Sequence, residues 1–95
     1  MTIGLLQIDL VIPSARSLKD KRRVLKSLKQ RMRNRFNCSI AEVDFHEHWG
    51  RARLAVCVVS GDSRHANTQL NEIARFADVD VKNGAEMVDY TIEMM

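Results

Sequence analysis

Three groups of residues in this chain have types and spacings that could do chemistry. Lys19, Arg22, Arg23, Lys26, Lys29 and Arg33 recur at helical spacing, and a row of such cations can displace counterions from the phosphates of a nucleic acid. Cys38, Cys57, His46, His48 and His65 offer soft metal ligands, and on a strand His46 and His48 would point the same way. Glu42, Asp44 and Glu47 lie close together, with two of them on one face of a regular strand, as an acid and base pair would require.

Two of these groups have a plainer use. The Cys and His spacing is not a zinc pattern; histidines at a hairpin tip are ordinarily surface residues, and strand cysteines ordinarily belong to a core or an interface. Hairpin carboxylates commonly pair across strands, here with Arg51 and Arg53. The chain also has no glycine-rich phosphate loop, no nucleophile elbow and no metalloprotease motif. The reading is therefore a protein that is not an enzyme, with no metal, no cofactor and no small-molecule substrate.

The cationic group survives this comparison because of where the charge sits. Ten of the fifteen Lys and Arg residues fall between Arg16 and Arg35, where Asp20 is the only acid, so that segment carries +9 while the remainder carries −6. A cationic helix face is ordinarily just solvated, but one nearly free of acids is the footprint expected of contact with a polyanion. At 95 residues the chain can bury one core and reads as a single domain, 1–95. Two widely spaced cysteines with no secretory or membrane-spanning segment point to a reduced, cytoplasmic protein away from membranes.

The elements that position these residues follow from periodicity. Ile3 to Ile12 alternates as a strand that Pro13 ends. Ser17-Leu18-Lys19-Asp20 has the form of a capping box with Asp in place of Glu, predicting a helix from about Leu18. Leu18, Val24, Leu25, Leu28, Met32 and Phe36 fall within an arc of about 120°, with Lys21, Arg31 and Arg35 placed near its margins. The six cations named first fill another sector. Asn37 to Phe45 reads as a second strand with a bulge near Ala41 and Glu42, and Arg51 to Ser60 as a third, joined by a short hairpin. Gly61-Asp62-Ser63 caps a second helix ending near Asp78, Asn83-Gly84 signals a turn, and Val88 to Met94 alternates as a last strand.

The order βαββαβ predicts an α+β, ferredoxin-like sandwich: a four-stranded antiparallel sheet with both helices on one face. Ile3, Leu5, Gln7, Asp9, Arg53, Ala55, Cys57 and Val59 then lie on the open face. Ile3, Leu5, Ala55, Cys57 and Val59 make it apolar enough to need a cover, and a homodimer packed sheet to sheet would supply one. Trp49 is either packed over the sheet edge or an anchor for a partner. The central strands place no aromatic residue on the open face, which argues against base recognition of the kind seen in RNA-recognition motifs.

Ser17-Leu18-Lys19-Asp20-Lys21-Arg22-Arg23-Val24-Leu25-Lys26, then Ala41-Glu42-Val43, Trp49 and Val59-Ser60-Gly61-Asp62, together resemble the YlxP-like family of small bacterial proteins of unassigned function. The resemblance spans nearly the whole chain and implies a ferredoxin-like fold in the bacterial cytoplasm. Members of that family are often encoded beside translation initiation and ribosome-maturation factors, which is an association and not a biochemical role. It brings no catalytic residue. His46-Glu47-His48 stands here where relatives more often have Gln-Asp-Leu before the Trp. The expectation is an RNA- or ribosome-associated domain that holds phosphates on Lys19, Arg22, Arg23, Lys26, Lys29 and Arg33; the alternative is a protein-interaction module dimerised through its sheet.

Overall fold

The alternation of Leu6, Ile8 and Leu10 with half-buried neighbours builds β1 (Thr2–Val11), which becomes an inner strand of the sheet. In this computed structural model residues 1–79 and 84–95 are described. The remaining elements are α1 (Leu18–Arg35), β2 (Ser39–Asp44), β3 (Arg51–Ser60), α2 (Ser63–Val79) and β4 (Glu86–Met94). The strands form one antiparallel sheet in the order β2-β3-β1-β4. This is the ferredoxin-like βαββαβ arrangement that the pattern predicts. Of the turn read at Asn83-Gly84, Asn83 lies outside the described residues, and Gly84 has the positive φ of 101° that favours glycine.

One apolar layer joins the sheet to both helices. Leu25, Leu28, Leu70 and Ile73 are buried with Leu6, Ile8, Leu54 and Val56 in a single cluster, so the even-numbered side chains of β1 and β3 face the helices. Gly4 lets α2 approach closely: a Cβ built there would stand 2.7 Å from Leu70 Cδ1.

Local chemistry fixes where α1 starts. Ser17 is extended, and its Oγ accepts from Asp20 N at 3.1 Å. Asp20 Oδ2 in turn accepts from Arg16 N at 3.0 Å, so the box closes on the residue before the cap. Asp62 Oδ1 accepts from Arg64 N at 2.9 Å at the head of α2.

β2 is shorter than the span from Asn37 to Phe45, and the bulge expected near Ala41 and Glu42 falls directly after Glu42. Register slips between Glu42 and Asp44, leaving Val43 as the extra residue. A second slip, between Asp9 and Leu10, lets β4 insert Val88 opposite β1.

Candidate nucleic-acid interface

Along α1 the two sectors separate as the helical period requires. Lys19, Arg22, Arg23, Lys26 and Arg33 are exposed, and Lys29 is half-buried. Arg33 also reaches inward, its Nη2 donating to Ile40 O of β2 at 3.1 Å. Lys19, Arg22, Arg23 and Lys26 therefore form the outward cationic face, with Lys29 and Arg33 on the flank beside β2. Arg23, Lys26, Ser27, Gln30 and Arg31 rim a shallow depression of about 330 Å³ on the outer side, where Arg31 donates to Ser27 Oγ.

Lys21 belongs elsewhere than the margin that the helical wheel assigned it. It is 1% exposed, and with Leu25, Leu28 and Met32 it forms the buried row of α1. Its Nζ donates to Phe45 O at 2.7 Å and His48 O at 2.8 Å, and stands 2.7 Å from Glu42 Oε2. The Glu42 contact is an ion pair without hydrogen-bond alignment. A buried ammonium needs such partners. Lysine fits here because its long stem crosses the apolar layer before the charge reaches the polar hairpin.

The bulge also corrects the reading of the carboxylates. Because Val43 is extra, Glu42 falls on the helix side, opposite Leu54, and Asp44 on the open side, opposite Arg53. They do not share a face. Arg53 donates to Asp9 Oδ1 at 2.7 Å and to Asp44 Oδ2 at 3.3 Å. The hydrogen bond from Arg53 holds the Asp9 carboxyl below its ordinary range, against a smaller opposing effect of burial. Arg51 and Arg53 also lie 4.2 Å and 5.2 Å from the Phe45 ring centroid. Phe45 itself adopts φ 63°, and its amide donates to Asp44 Oδ1 at 2.7 Å.

Trp49 does not pack over the sheet edge; it is 53% exposed at the β2–β3 hairpin. Cys38 packs against the core while Cys57, opposite Ser39, is on the other face of the sheet. Burial pushes the Cys38 thiol up, away from nucleophilic use. On the open face Val59 is 68% exposed, whereas Ile3, Leu5, Ala55 and Cys57 are half-buried. No helix among the described residues is long and apolar enough to cross a membrane.

Sequence reasoning missed the roles of Lys21 and Asp9. Lys21 could have been found, since it stands at i relative to Leu25 (i+4), Leu28 (i+7) and Met32 (i+11). Asp9 pairs with Arg53 through the β1–β3 register, which a single sequence does not display.

The fold and this helix face define a ferredoxin-like domain with a cationic first helix. The chain belongs to the family described as "Protein of unknown function (DUF503)", matched over residues 3–92. It is 34% identical over 76 residues to the "Uncharacterized protein YlxP" of Bacillus subtilis (strain 168), covering 80% of this chain and 83% of that protein. Among solved structures it is similar to a C-terminal segment of the alpha subunit of aIF2 from Pyrococcus abyssi, with 17% identity and a TM-score of 0.51 over 97% of this chain and 48% of that one. That likeness is one of fold. A de novo designed protein with ferredoxin fold, 13% identical, is matched over 100% of this chain and 84% of its own with a TM-score of 0.48.

Proposed function

We propose that this chain is a non-enzymatic cytoplasmic domain that associates with RNA or the ribosome by holding phosphates on α1. The observation that carries this reading is the outward face of Lys19, Arg22, Arg23 and Lys26, on a segment whose one acid, Asp20, is engaged by the Arg16 amide at the helix cap. Exposed cations on a rigid helix bind phosphate through counterion release and need no base-edge contact. Lys29 and Arg33 add contacts at the flank.

About four to six neutralised phosphates give a salt slope of about −3 to −4 for a single strand, so affinity falls about 50- to 300-fold between about 50 and 200 mM salt. Replacing Arg22, Arg23 and Lys26 together by Gln should flatten that slope by about two, measured by fluorescence anisotropy of a labelled RNA. Equal affinities of wild type and triple variant across the range would reject the reading.

The exposed apolar part of the open sheet face favours a second reading, a homodimer covering Ile3, Leu5, Ala55, Cys57 and Val59, with Trp49 as a further contact. Light scattering on wild type and Leu5→Lys tests it: the variant should dissociate. A wild type that stays monomeric at high concentration counts against it.

A further inference from the structure

Trp49 is the only tryptophan in the chain, and an indole left 53% exposed calls for an explanation. It does not sit on a loose loop. On its N-terminal side, Phe45 O accepts from both Lys21 Nζ at 2.7 Å and His48 N at 2.9 Å. His48 O accepts from Lys21 at 2.8 Å, and His48 Nδ1 accepts from Gly50 N at 3.2 Å. On its C-terminal side, Gly50 O accepts from Ile12 N at 2.9 Å. The residues before and after the indole are thus fixed, which lowers the entropy lost when a partner binds to it.

The same contacts say what it stands next to. Lys21 is in the first turns of α1 and holds the hairpin by two carbonyls, so the hairpin sits at the head of that helix, whose outward sector begins with Lys19, Arg22 and Arg23. Arg33, bonded to Ile40 O, keeps the flank of α1 alongside β2, and β2 runs into the hairpin. Glu47 is exposed on that hairpin and, with His48 and Trp49, lines a depression of about 320 Å³. Its carboxylate repels phosphate there and tolerates a neutral base.

The geometry points to Trp49 as a stacking platform for an unpaired nucleobase of a single-stranded RNA whose phosphates lie along α1. This rests on the phosphate-binding reading of α1. Stacking uses the π face that every base has, so the site takes single strands without reading their sequence. A duplex, with its bases already stacked, gains only the phosphate contacts.

The sole indole makes the test direct. Wild-type protein is titrated with a decauridylate and, separately, with inorganic polyphosphate, following tryptophan emission and binding heat together. The decauridylate should quench emission, and polyphosphate should bind without quenching. Trp49→Ala should lower the ratio of decauridylate to polyphosphate affinity about tenfold, and Trp49→Phe should restore most of it. Salt-dependent binding of the decauridylate with no quenching, and an unchanged ratio in Trp49→Ala, overturns the stacking site and leaves the α1 reading intact. Binding of neither probe at about 50 mM salt overturns both.

Discussion

Lys21 Nζ and Glu42 Oε2 meet 2.7 Å apart beneath α1, the lysine side chain 2% and the glutamate side chain 20% exposed. This pair, with the two carbonyls that Lys21 also holds, couples the first helix to the β2–β3 hairpin. Removing one partner leaves the other charge in a poorly solvated place, which is more costly than exchanging both. Lys21→Met should lower the unfolding free energy by about 3 kcal/mol. Adding Glu42→Gln should recover at least about 1 kcal/mol, read from urea denaturation of the two single variants and the double. Additive losses would show that the contact contributes little.

Leu28 is 3% exposed between the helix layer and the sheet. Its replacement by Ala should cost about 2–5 kcal/mol in the same assay. A loss below about 0.5 kcal/mol would be that of a surface position.

Acid should weaken the fold through Asp9. Its carboxyl is held below the ordinary value of 3.8 in the folded chain by Arg53, so the unfolded chain takes up the proton first as pH falls. The stabilisation is full above that ordinary value and disappears as pH drops through the lower folded one. Asp9→Asn should therefore lose stability at neutral pH and show a flatter decline below about pH 4, followed by denaturation midpoints across the acid range. A decline as steep as in wild type would assign the acid sensitivity to other groups.

Replacement of Arg22, Arg23 and Lys26 by Gln should change stability by no more than about 0.5 kcal/mol, because these side chains are exposed and Gln keeps helix propensity. Thermal unfolding followed by circular dichroism checks this. A large loss would mean that reduced RNA affinity in that variant reports unfolding.

Much of this architecture is legible in the chain because its signals are local. The alternation of Leu6, Ile8 and Leu10, the cap at Ser17 and the turn at Gly61-Asp62 each need only neighbouring residues. The cationic face of α1 is read the same way, from helical period alone. What escaped depends on a third dimension. The parity of β2 changes at Val43, and no local propensity says on which side of Glu42 the extra residue falls. Trp49 is exposed on a hairpin that Lys21 holds to α1, a contact spanning 27 residues. A single basic residue amid others carries no mark of being the one that turns inward, unless its neighbours on the buried row are counted.

The slip at Val43 has a further effect on how copies of this chain can meet. β2 lies at one margin of the sheet, and a bare margin invites another strand to zip on, the usual start of ordered aggregation. Here the ladder is only six residues long, is broken near its end, and has one carbonyl already engaged by Arg33. That margin is a poor template. Copies that crowd together on this side meet without a backbone on which to grow a fibre.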